Sequence, residues 1–143
     1  MRLEQQGQRI SGRIFVACGV WLVGLGIYFM ALRPAVLPED LRFIGSGLDE
    51  LRAALPRLDR WLGRVFGVMG GFMACAGVLT IFVAVTAAPA RNRGTGATLA
   101  LAGLLTVVTM SATNFTIDSD FKWLLLAPAL LWSSGVVCYF LRW

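Results

Sequence analysis

Four long apolar runs, at about 14–32, 65–88, 95–117 and 123–141, contain no Asp, Glu, Lys, Arg or His. At about 1.5 Å of rise per residue, each is long enough as a helix to cross a hydrocarbon core of about 30 Å. The expected fold is all-α: an integral membrane four-helix transmembrane bundle, with an amphipathic interfacial helix at about 39–62 between spans 1 and 2. Ionisable groups inside a membrane are costly and mark proton relays, ion pathways or polar substrate sites. Their absence from all four runs disfavours a pump, a channel for ions and an intramembrane enzyme.

The chain has 143 residues and is 57% hydrophobic, above the roughly 45–50% of a soluble domain. After the spans are subtracted, only an amino-terminal arm, one longer loop and two short turns remain, so residues 1–143 read as a single membrane domain. The first run exceeds a signal-peptide core and ends in a poor cleavage sequence, Tyr28 to Arg33, so it reads as a retained helix. The net charge of +5 does not point to nucleic acid. The basic residues sit at span ends and in loop 1, where topology and snorkelling place them. Cys18, Cys75 and Cys138 are isolated thiols inside spans, and the chain has no His. No metal or cofactor is therefore expected, and no catalytic residue is assigned.

Loop 1 carries the clearest periodicity. Leu41, Ile44, Leu48, Leu51, Leu55, Leu58, Leu62 and Val65 recur at alternating spacings of three and four, with charged residues between them. This predicts a surface-lying helix in two pieces. Pro38 with Glu39 and Asp40 announces its start, Ser46 with Asp49 suggests a second start, and Pro56 a bend into span 2. Leu48, Leu51, Leu55, Leu58 and Trp61 are the expected interfacial docking residues.

Span 2 holds small residues that let two helix backbones approach in lipid: Gly63, Gly67 and Gly71 at four-residue spacing, flanked by Gly70 and Ala74. They are the expected helix-packing residues, either within the chain or at a dimer seam. Span 3 places Thr106, Thr109, Thr113 and Thr116 at helical spacing, a stripe that bonds its own helix or faces a polar ligand. Pro128 is expected to kink span 4.

Arg and Lys counted outside loop 1 number six on the side of the termini (Arg2, Arg9, Arg13, Arg91, Arg93, Arg142) and one, Lys122, on the other. This bias places both termini in the cytoplasm. Loop 1 and loop 3, Asp118 to Lys122, then share the outer face, where Arg60 and Arg64 are expected to form an ion network with Asp118 and Asp120.

The strings Leu37-Pro-Glu-Asp-Leu-Arg42, Met69-Gly-Gly-Phe-Met73 and Asp118-Ser-Asp-Phe-Lys-Trp123, in this order, resemble a group of small bacterial four-span inner-membrane proteins. The resemblance implies a multi-pass protein of the bacterial inner membrane and carries no activity with it. The functional expectation is a structural or accessory subunit of a membrane complex or homo-oligomer, more a non-enzyme than an enzyme. Its partners would be membrane lipids and another membrane protein or itself. A lipid- or quinone-binding protein is the alternative, and a small transporter ranks below both.

Overall fold

The computed structural model describes residues 2–141, with side chains from Ile10 onward, and is helical throughout the elements it describes. Arg142 and Trp143, and the side chains of Arg2 and Arg9 counted above for orientation, lie outside what is described. Six helices follow in order: α1 Arg2–Ala31, α2 Pro38–Ile44, α3 Leu48–Ala54, α4 Leu58–Thr86, α5 Arg93–Thr116 and α6 Lys122–Phe140. Four of them, α1, α4, α5 and α6, are long and apolar enough to cross a membrane, which suggests a multi-pass membrane protein.

The boundaries differ from the sequence expectation where local chemistry overrides periodicity. The polar arm before residue 14 is the first part of α1 rather than a separate segment. Residues 58–62, read with the loop 1 helix, belong to α4. The reason lies at Pro56, which lacks an amide donor and disfavours helix in the residue before it; Leu55 accordingly leaves the helical region, with φ −133° and ψ 74°. The second start falls one residue later than Ser46. The Gly47 N–H donates to Glu50 Oε2 at 3.3 Å and the Ser46 hydroxyl donates to the same oxygen at 3.1 Å, so Glu50 rather than Asp49 caps α3. Gly45, at φ +75°, turns the chain out of α2 in the left-handed region that suits glycine.

In α5 a π-helical turn spans Leu104–Val108, adjoining Gly103, where the Trp132 indole of α6 packs against the missing side chain. Trp132 Nε1 donates to the Leu99 carbonyl at 2.8 Å. The ring thus sits beside the place where the α-helical ladder is interrupted, a recognised cause of a local rewinding. Pro128 lies within α6.

Packing puts the four long helices in the spatial order α4, α1, α6, α5. α1 meets both α4 and α6, α6 also meets α5, and the two flanking helices make no comparable contact with each other. The α1–α4 contact is the largest, and glycine permits it. A Cβ on Gly26 would lie 2.5 Å from the Gly70 carbonyl oxygen and 2.6 Å from the Ala74 nitrogen; one on Gly77 would lie 2.5 Å from the Gly19 oxygen. Around α1 and α6 the buried residues are Phe15, Cys18, Leu22, Val107, Trp132 and Tyr139, with Phe15 edge-on to Trp132 at 5.7 Å.

Of the residues expected to pack, Gly70 and Ala74 lie in this contact. Gly63, Gly67 and Gly71 do not: a Cβ on any of them meets nothing within 4 Å. On a helix of 3.6 residues per turn Gly63 shares the face of Gly70 and Gly77 but lies one step beyond the end of α1 at Ala31, whereas Gly67 and Gly71 lie to one flank of the seam. Gly26→Leu or Gly70→Leu should therefore lower thermal stability in detergent by about 1–3 kcal/mol or more through overpacking. Gly67→Leu and Gly71→Leu should leave the melting temperature of the monomer close to wild type. Equal losses in both pairs, read by fluorescence melting and size-exclusion profile, would overturn this assignment of the packing face.

Candidate functional site: a clasp and groove at one end of the helices

Loops 1 and 3 emerge at the same end of the helices, and the chain brings them together through side chains far apart in sequence. Glu39, in the first turn of α2, is 3% exposed, and Ser119 of loop 3 is 1% exposed. The Ser119 hydroxyl donates to Glu39 Oε1 at 3.3 Å while its oxygen accepts the Phe121 N–H at 3.2 Å. A buried carboxylate needs such partners, because an unpaired one carries its full desolvation cost. Beside this bond, at the rim, Arg42 pairs with Asp120 at 2.7 Å with both side chains more than half exposed. Asp118 pairs with Lys122 within loop 3 and the first turn of α6. The Lys122 hydrogen bond, reinforced by its charge, holds the Asp118 carboxyl below the usual carboxylate range. The Asp120 bond raises the Arg42 guanidinium.

At the other side of α2, Arg33 follows the end of α1 and is only one-tenth exposed. Its guanidinium lies 3.7 Å from the centroid of Phe66 on α4 and 5.3 Å from that of Phe29 on α1. Its Nη2 bonds Asp40 Oδ2 at 3.3 Å, and its Nη1 donates to the Pro34 carbonyl at 2.9 Å. Asp40 Oδ2 also accepts the Leu37 N–H at 2.9 Å, capping α2. One acidic pair, Glu39 and Asp40, thus ties α2 in two directions, to loop 3 and to the α1–α4 seam.

The expected network of Arg60 and Arg64 with Asp118 and Asp120 is not formed. The spatial order explains this. α4 is the flanking helix beyond α1, whereas loop 3 leads into α6, so Arg60 and Arg64 are on the wrong helix to reach it. Arg42 on α2 and Lys122 take the two aspartates instead. Among the described residues, neither Arg60 nor Arg64 makes an ion pair.

Between α2, α3 and the start of α4 lies a groove of about 370 Å³. Leu51, Leu55 and Leu58 line it, joined by Phe43, Leu62 and Phe66 among others, with Asp40 as its charged residue. Two of the expected docking residues lie outside it: Leu48, which is half-buried, and Trp61, which is 60% exposed. Neither α2 nor α3 packs broadly on a span, so side-chain bonds and this apolar lining hold them in place.

Two hydroxyl–carboxylate pairs, Ser119 with Glu39 and Ser46 with Glu50, lie at helix starts and there hold backbone and loop in place. Among the described residues no group of three or more His, Cys, Asp or Glu comes close enough to hold a metal ion. The α5 threonines are turned to their own helix: Thr106, Thr113 and Thr116 donate to carbonyls four residues back and Thr109 to one five back, at 2.6 to 3.0 Å. Sequence reading did not single out Arg33, Glu39, Arg42 and Ser119 as site residues. The one signal was that Leu37–Arg42 and Asp118–Trp123 both stood out as strings, since neither says that it faces the other. No protein-family model matches this chain, and no match was found among curated proteins or solved structures.

Ser119→Val should cost about 1–3 kcal/mol, because it leaves the buried Glu39 carboxylate without its hydroxyl donor. Asp120→Asn, which weakens an exposed pair, should cost at most about 1 kcal/mol. Thermal unfolding of the two variants in one detergent checks the order; Asp120→Asn as the more damaging change would show that the rim, not the buried bond, holds the clasp.

Proposed function

We propose that this chain is a non-catalytic structural or accessory subunit of a bacterial inner-membrane complex, with both termini in the cytoplasm and loop 1 on the outer face. The observation that carries this reading is the clasp. Glu39 and Ser119, 80 positions apart, bury a bond that fixes α2 onto loop 3, so loop 1 is a held surface rather than a slack connection. The polar side chains that catalysis or transport would recruit are occupied in holding the fold, as the α5 threonines, Trp132 and Arg33 illustrate. Trp61 stands outward beside that surface, and exposed aromatics of this kind anchor partners. The resemblance of the three strings to small bacterial four-span proteins and the arginine asymmetry outside loop 1 are what the location and orientation are proposed on.

A cysteine placed at Ser46 should be labelled by an impermeant thiol reagent added outside intact cells, and a reporter fused after Trp143 should read cytoplasmic. Purification in a gentle detergent should retain another membrane protein in fixed stoichiometry, and Trp61→Ala should weaken that retention by about tenfold or more. Labelling at position 46 only after permeabilisation would reverse the orientation. A chain recovered alone, at the mass of a monomer, would remove the accessory role.

A further inference from the structure

We infer that the groove between α2, α3 and the first turns of α4 binds one acyl chain of a bilayer phospholipid. This does not depend on the accessory role proposed above. The groove's walls are Val36, Phe43, Leu51, Leu55, Leu62 and Phe66, and its one charged residue, Asp40, is already matched by Arg33. The lining therefore carries no net charge and offers a tail contact rather than a headgroup site. Its volume of about 370 Å³ lies near the lower end of ligand pockets, about 300–1,000 Å³, and suits a chain. A partner helix, about 10 Å across and several turns long, needs a longer trough.

Depth supplies the identity of the occupant. Phe66 lies two residues after Arg64, the last charge before an apolar run that extends to residue 88. The floor of the groove thus falls where the polar headgroup layer gives way to hydrocarbon. Water against a concave apolar surface of this kind is unfavourable, and the hydrocarbon present in bulk at that depth is the lipid's own chain. Arg33 on the ring of Phe66 closes the polar end: it keeps Asp40 neutralised without projecting into water, so a tail can lie beside it.

The test uses the full-length protein in vesicles of phosphatidylethanolamine and phosphatidylglycerol containing a small fraction of phospholipid with a diazirine in mid-chain. After photolysis, adducts should be denser on residues 35–66 than around Leu101, Leu104 and Leu105, which are exposed on α5. In native mass spectrometry from a gentle detergent the wild type should keep one phospholipid, whichever headgroup is supplied. Val36→Trp, which fills the groove, should lower that occupancy by about tenfold, and Leu105→Trp should not. Adducts no denser on 35–66 than on α5, or equal retention in the two variants, would overturn the inference by showing ordinary annular lipid. Retention of a free fatty acid, an isoprenoid quinone or a peptide in place of phospholipid would overturn it as well. The photolabelling needs no substitution, so a misfolded Val36→Trp leaves it decisive. Loss of a protein partner in Trp61→Ala with lipid retained separates this site from the accessory surface.

Discussion

The contact on which the rest of the molecule depends is the backbone-to-backbone meeting of α1 and α4. Lipid tails are as apolar as leucine, so helices in a membrane gain little from hiding apolar surface and associate through close packing. Here two glycines on each helix, seven residues apart, face each other in antiparallel register: Gly19 with Gly77 and Gly26 with Gly70. Each removes the one atom that would strike the opposite carbonyl. Among the described residues α4 makes no comparable contact with another long helix, so this seam dominates its placement. It also places Phe66 beside the end of α1, where Arg33 finds an aromatic face on each helix. The clasp and groove are built outward from that point.

How much of this could be read from the chain depends on the range of the interaction. The four long apolar helices were legible because length and apolarity are properties of a single segment. The two-piece loop 1 helix was legible because capping residues and Pro56 act locally. The packing face of α4 was legible only in part: Gly70 and Ala74 of the expected set meet α1, while Gly63, Gly67 and Gly71 form the neater stripe, and a stripe on one helix says only that a close approach is possible there. The informative pattern was the same seven-residue spacing in two helices, Gly19 with Gly26 and Gly70 with Gly77. Only a matched pair of stripes specifies who meets whom. The clasp was out of reach on the same grounds, since Glu39 was fully accounted for as a first-turn acid of α2 and nothing local tells it of Ser119.

The polar side chains among the long helices are largely engaged with backbone carbonyls. In the turn between α4 and α5, Tyr139 donates its hydroxyl hydrogen to the Asn92 carbonyl at 3.0 Å, and Arg91 donates to the Tyr139 carbonyl at 2.7 Å. Ser133 and Thr80 donate to carbonyls four residues back. These bonds satisfy hydrogens that hydrocarbon would leave stranded. Among the described residues, the buried side-chain polar atoms without a partner are Trp21 Nε1 and Asp59 Oδ1, which lie on different helices and form no site together. The π-helical turn of α5, a feature often found at functional sites, here has a packing cause in Trp132.

One flank of α4, beside the α1 seam, bears on whether the chain can pair symmetrically with itself. Gly67 and Gly71 lie open there, with Arg60 and Arg64 above them on the same side of the helix and without ionic partners among the described residues. A symmetric pair of copies in one membrane is related by a two-fold axis along the membrane normal, so equivalent residues meet at equal depth. Joined through this side, the two copies would set four arginines against one another at the headgroup level, where like charges oppose association. The glycines of this flank therefore permit a close approach in lipid, while the arginines above them oppose a symmetric one.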